Sequence, residues 1–208
     1  MAATKKPTVT VKDYRLFELE RIAADALRDA ARCVRGRRVD IERLILEKFD
    51  LKIEAFHDLR SRWDTYAFID TTDKIIFVDA DLMDQDRLEK KYRFTLAEEL
   101  AHFLIHRHVY GACKSAEDRI RIEASMDEQT RDRLESNARA LASALLMQKT
   151  TVEPLVEELA LKLVDAQGHI LVEQLVAAIV CEYDVNFNAA KRRLRNLGYH
   201  RRLDLDLQ

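Results

Sequence analysis

Cysteine is sparse in this chain, with three in 208 residues, and so are glycine, with four, and proline, with two. Cys33, Cys113 and Cys181 are odd in number, far apart and never in a C-x-x-C pair. That pattern suits reduced thiols in a cytosol rather than a disulfide framework. None has a partner at ligand spacing, so packing is their expected role. Neither sign of charge dominates: 35 Lys and Arg stand against 37 Asp and Glu, a net of -2. A near-neutral balance argues against bulk capture of nucleic acid and leaves room only for a local basic patch. No apolar run is long enough to cross a bilayer. Residues 1–11 carry two lysines and no apolar stretch, so they do not read as a signal peptide. There is no internal repeat and no low-complexity segment. The expectation is a cytoplasmic protein with no membrane partner.

What is present is ample material for a core, 48% apolar, together with 35% charged residues. This fits a soluble, helix-rich chain of one large domain, or of one domain with a small appendage. Residues 1–12 are expected to be loose, with Pro7 opposing early helix. Apolar spacing predicts a helix over residues 14–34, stopped by Gly36, and a second over 40–49 with Asp40 as N-cap. Alternation then takes over. Leu51, Ile53 and Ala55 mark one strand, residues 66–70 a second and 75–78 a third, with a turn at Thr71-Thr72-Asp73. A small antiparallel sheet of about three strands follows, whose edge strand offers a place for an extended peptide to pair. Helices return over residues 86–110, 135–148, 152–164, 170–183 and 188–196, with a charged, irregular excursion over 113–130. The fold class is therefore α+β, mainly helical.

The stretch around which the chain is organised runs from Arg93 to His106. On a helix Leu96, Ala97, Leu100, Phe103 and Leu104 share one arc, and Thr95, Glu98, Glu99, His102 and His106 the other. Most polar helix faces carry Lys and Arg, whereas this one carries carboxylates and imidazoles at metal-ligand spacing. Glu98-Glu99-Leu100-Ala101-His102 is one residue away from H-E-x-x-H, in which two His bind zinc and the Glu activates bound water. A solvated face with an acidic pair and two surface His explains the same residues. A third ligand must come from elsewhere. Glu135 is a candidate, although the dipole at a helix start also favours an acid there.

Two segments together resemble the ImmA/IrrE family of metallopeptidases. Its members typically carry R-F-T-L-A-H-E-L-G-H-x-x-L-H and then E-x-x-A-N-x-F-A-A-x-L-L-M-P. Here Arg93-Phe94-Thr95-Leu96-Ala97, Glu99-Leu100, His102 and His106 match the first, and Glu135, Ala138, Ala142 and Leu145-Leu146-Met147 the second. The ending from Asn188 to Gly198 looks like the family's as well, so the likeness runs from about Asp40 to Gly198. It implies a zincin-like metallopeptidase domain over residues 13–150, a helix-turn-helix-like helical part over 151–200 and a tail over 201–208. It further implies Glu98, His102 and Glu135 as metal ligands and Glu99 as general base. The implied activity is cleavage of a helix-turn-helix repressor. A weakened or inactive relative that binds such a repressor without cutting it is the alternative.

Four positions depart from the family pattern. Glu98 replaces its first His, Ala101 its Gly, Arg139 its Asn and Gln148 its Pro. Zinc is the implied ion, but a carboxylate at Glu98 is a harder ligand, which opens the site to Mn2+, Mg2+ or no metal. Three carboxylates make metal-bound water less acidic, and without a metal they repel one another. Arg139, one turn after Glu135, is placed to neutralise it and so to compete with the ion. His106, Arg139 and Tyr110 are candidates for the ligands' outer surroundings or for an oxyanion contact. Trp63 and the lone His57, His169 and His200 have no partner pattern. At the C-terminal end Lys191-Arg192-Arg193, Arg195, His200, Arg201 and Arg202 form a basic stripe. Direct DNA contact through it is less favoured than pairing with the chain's many acids. The ligand set predicts that Glu98→His tightens zinc binding. Isothermal titration showing unchanged or weaker binding would count against that set.

Overall fold

In the computed structural model the described residues are 9–207, so most of the loose N-terminal segment expected from the sequence lies outside them. The chain opens with α1, Leu16–Leu27, shorter than its apolar spacing suggested. Its polar lead-in is tied by Glu18, whose carboxylate accepts from the Arg15 backbone N–H and from Lys12. Gly36 does not end this helix. With φ +61 it turns the two-residue hairpin of β1, Val34–Arg35, and β2, Arg38–Val39. Asp40 caps α2, Ile41–Arg43, by accepting from the Arg43 backbone N–H, and the helix widens into a π-turn over Leu44–Lys48.

The sheet comprises β3, Lys52–Phe56, β4, Ala67–Asp70, and β5, Ile75–Asp79, with α3, Leu59–Trp63, between β3 and β4. Trp63 is the last residue of α3. The order is β3-β5-β4. β4 and β5 pair antiparallel, but β3 and β5 run parallel, which corrects the all-antiparallel expectation. The cause is the α3 crossover: it carries the chain past the vacant central position, and the tight turn at Asp70 brings β5 back into it. Asp70 Oδ1 accepts from the Thr72 and Asp73 backbone N–H groups at 2.7 and 3.0 Å, and Lys74 takes the left-handed conformation that closes the hairpin.

The remaining chain is helical. α4, Ala80–Asp84, leads to α5, Glu89–Ile105, which carries the motif. The expected single helix to residue 110 breaks at His106 (φ -120), and α6, Arg107–Tyr110, starts afresh. The irregular excursion holds α7, Ala116–Ala124, capped by Ser115. Next come α8, Glu128–Leu146, α9, Lys149–Lys162, α10, Val172–Tyr183, α11, Phe187–Asn196, and α12, Tyr199–Arg202. α8 begins seven residues before Glu135, at the Asp127 cap, so Glu135 lies well inside its helix. Among the described residues no helix is long and apolar enough to cross a membrane.

α5 and α8 pack along each other at the centre. Leu96, Ala97, Leu100 and Ala101 meet Ala138, Leu141, Ala142 and Leu145, all fully buried. Small residues on both helices let their backbones approach closely, which places the polar arc of α5 opposite Glu135 and Arg139. The main apolar core draws on residues from Leu19 to Leu207. Arg93, the first residue of the motif, clamps the hairpin and the end of α10 by donating to the carbonyls of Val39 (3.0 Å) and Asp184 (3.2 Å).

The basic stripe is not one exposed face. Arg193 is only 1% exposed, pairs with Glu20 through both terminal nitrogens and donates Nε to the Met147 carbonyl at 2.7 Å. Arg202 lies near Glu153 and Glu157, at 3.6 and 3.4 Å. Arg193 thus joins α1, the end of α8 and α11. Arg193→Met should cost about 3 kcal/mol, the low end for breaking a buried pair because Glu20 can rehydrate. Urea unfolding monitored by circular dichroism reads that loss.

Candidate active site

The residues singled out on α5 and α8 do face one another across a cleft. Glu98, Glu99 and His102 come from α5, Glu135 and Arg139 from α8, and a cavity of about 280 Å3 lies between them. His102 Nε2 is 3.7 Å from Glu135 Oε1. Arg139 reaches both flanking carboxylates, Glu98 at 3.2 Å and Glu135 at 3.5 Å.

The centre of the cluster is a residue the sequence reading passed over. Arg119 projects from α7 into the site and is almost fully buried. Its Nη1 donates to both oxygens of Glu99, at 2.8 and 2.9 Å, and its Nε donates to Glu123 at 2.8 Å. Its Nη2 is 3.8 Å from Glu135. Tyr110 stands beneath the guanidinium, 5.2 Å from ring centroid to Cζ, and donates its hydroxyl to Glu123 at 2.9 Å. One cation therefore meets three carboxylates contributed by three helices. A clue existed in the sequence: three carboxylates brought together in a core demand a buried positive charge, and Arg119 with Glu123 at i+4 is a pair suited to supply it.

Electrostatics follow from burial. Loss of hydration raises the pKa of Glu98 to about 7, with Arg139 opposing and Glu135 and Glu99 adding to the rise. Burial likewise raises Glu135 against the pull of Arg119. Burial works against the charge of Arg119 too, but Glu99, Tyr110, Glu123 and Glu135 outweigh it and hold the guanidinium protonated. Burial, then nearby His108 and Arg119, brings His106 down to about 3, and burial followed by Arg119 takes His102 well below its ordinary value. Both imidazoles are neutral at pH 7.

Neutrality fixes their tautomers. His102 Nδ1 and His106 Nδ1 lie 3.0 Å apart, so one must donate to the other. If His106 donates, His102 keeps its proton on Nε2, facing Glu135. His106 Nε2, which is buried without a partner, is then a bare acceptor rather than a stranded N–H. The reverse assignment strands a buried donor at His106 Nε2.

This arrangement does not fit a zinc ion. Among the described residues no three or more His, Cys, Asp and Glu side chains are grouped so as to hold a metal. Glu99 is taken by Arg119, and Glu98 and Glu135 share Arg139.

The edge beside the site also differs from expectation. β4 is buried along its whole length. Thr71 and Thr72 donate to the carbonyls of Tyr110 and Gly111, each at 3.3 Å, and Arg119 Nη1 lies 3.5 Å from the Ala67 carbonyl. The excursion from α6 to α7 thus lies against this strand. Val109, Tyr110, Cys113 and Ala116 seal it, with Phe68, Leu59 and Leu134, into a second apolar cluster.

A small mixed sheet of three strands against a helix that carries E-E-x-x-H, faced by a glutamate from a later helix, makes an α+β fold of the mainly helical class. Within that class the family model of the IrrE N-terminal-like domain, Peptidase_M78, matches residues 41–195, and the chain belongs to this family. The family is generally metal-dependent. No curated protein matches the chain.

The raised pKa of Glu98 gives a signed expectation. A carboxyl whose pKa climbs from an ordinary 4.5 to about 7 on folding contributes stability below pH 4.5 and loses it as pH rises through 7. Glu98→Gln should therefore raise the melting temperature by a few degrees at pH 8, and the difference should all but vanish at pH 4, below the unfolded pKa. Calorimetry at the two pH values checks this.

Proposed function

We propose that this chain is a regulatory member of its peptidase family that holds a protein partner in the cleft without hydrolysing it. A helix-turn-helix repressor is the partner we assign. The observation that carries the reading is the Arg119 guanidinium, buried against Glu99 and beside Glu135. A general base must be free to accept a proton from water, and Glu99 instead has both oxygens engaged by a cation. The site's positive charge is then part of the polypeptide rather than a bound ion. The cleft itself is retained, open beside Glu98 and Arg139 and walled by Trp63 and Tyr66.

A second reading keeps the family's hydrolytic activity, zinc or another divalent ion with Glu99 as general base. One observation favours it. Four carboxylates, Glu98, Glu99, Glu123 and Glu135, face only two guanidinium groups, a surplus of negative charge that a divalent cation would balance.

The two readings part at Arg119. Removing it in Arg119→Met strips the counter-charge from Glu99 and should destabilise the protein by about 3–5 kcal/mol. Zinc should then bind the variant at least about tenfold more tightly than wild type and raise its melting temperature more. Wild-type protein incubated with zinc and a helix-turn-helix repressor should co-elute with the repressor intact on size exclusion. Cleavage of the repressor by wild type, lost in Glu99→Gln, together with equal zinc affinity in wild type and Arg119→Met, would restore the second reading.

A further inference from the structure

Beside the motif cleft lies a larger cavity of about 520 Å3, and the two share Tyr66, Thr95, Glu98 and Arg139 as a common wall. Its far side is formed by α5 at Lys91 and by the first turns of α11 up to Arg192. The charge balance there is the reverse of the motif site. Glu98 is the only acid in the lining, and Arg139 already holds it at 3.2 Å.

Lys91 and Arg192 are the cations left over. Among the described residues neither has a carboxylate within ion-pair distance. Lys91 Nζ lies over the Tyr66 ring, 3.2 Å from its centroid. Arg192 is half-buried, and its Nε is shielded from solvent with no hydrogen-bond acceptor. A buried donor without an acceptor costs free energy comparable to a lost hydrogen bond, and more when it is charged. Arg139 and Arg195 crowd further positive charge near it, offset only in part by Glu98, which is itself paired with Arg139. The cavity thus shows an unmet requirement for acceptor oxygens carrying negative charge.

The shape decides between kinds of anion. A single small oxyanion needs donors that converge, whereas Lys91 and Arg192 stand on different helices around a volume many times that of one water molecule, about 30 Å3. Phe187, 44% exposed, and the exposed Asn188 line the same cavity, an aromatic and an amide suited to a chain rather than to an ion. The cavity also runs on into the motif cleft, the place assigned above to a protein partner.

We infer that this basic half of the cleft seats acidic side chains of a bound polypeptide, with Lys91 and Arg192 contacting their carboxylates. The inference deepens the partner-binding reading and rests on it for the occupant being a protein segment. Charge-assisted contacts of this kind contribute about 1.5–3 kcal/mol each, so losing one should weaken binding about tenfold or more.

The test needs no repressor. Full-length protein is titrated with a blocked heptapeptide of alanine and glutamate and, separately, with its glutamine counterpart. The arginine Nε–H signals are followed by two-dimensional NMR, with that of Arg192 identified by its loss in Arg192→Gln. The glutamate peptide should move the Arg192 signal to saturation and the glutamine peptide should not. Lys91→Gln should weaken the binding about tenfold, and high salt should weaken it further. Inorganic phosphate and adenosine monophosphate form the remaining arms. The inference is overturned if neither peptide moves the signal, if both move it equally, or if only the phosphate compounds do. A protein that seats the peptide yet captures no repressor would keep this site and lose the partner assignment. Capture of a repressor with an unmoved Arg192 signal would do the reverse.

Discussion

The pairing of Arg119 with Glu99 is the contact on which the rest of this site depends. Both groups sit away from water, and burying each charge alone costs several kcal/mol. The cost is offset only because one guanidinium is shared by Glu99, Glu123 and Glu135, with Tyr110 closing its face. Those partners come from α5, α6, α7 and α8. A polar interaction therefore docks the excursion onto the core at a point where the apolar contacts of α7 would be too few. The same interaction decides the protonation of its surroundings, because the fixed positive charge helps keep both imidazoles neutral.

Around this centre the cleft has two electrical characters. At the motif end carboxylates outnumber guanidinium groups and burial makes them reluctant to ionise. At the α11 end the cations Lys91 and Arg192 outnumber the single acid. Arg139 stands on the border, bound to Glu98 and Glu135 yet 44% exposed, and it is the residue through which a change at one end is felt at the other.

Much of this was legible from the chain. The apolar spacing of Leu96, Ala97, Leu100 and of Ala138, Leu141, Ala142 marked the faces that α5 and α8 bury, and the family likeness singled out Glu98, His102 and Glu135, which line one cleft. Asp40 and the turn at Thr71-Thr72-Asp73 fell where their side-chain chemistry puts them. The parallel pairing of β3 with β5 was not legible, because alternation reports which face a strand buries and not its neighbour's direction. Nor was Arg119 singled out. Its role depends on a contact made across 20 residues, and the i, i+4 pairing with Glu123 is one of many on a mostly charged helix, so it marks Arg119 only once the carboxylates are known to converge. Reading Arg193 as part of an exposed stripe failed for the same reason: Glu20, its partner, lies 173 residues away.

With β4 shielded by the excursion, β3 is the sheet's other outer strand. It presents Lys52 and Glu54 to solvent, alternating in sign along a five-residue segment. Charged side chains on a short outer strand discourage stray chains from adding to it. Neither margin of the sheet therefore invites self-association by strand exchange. A visitor to the cleft must be recognised by its side chains, and the protein can bind selectively while staying resistant to the indiscriminate stacking that open sheets promote.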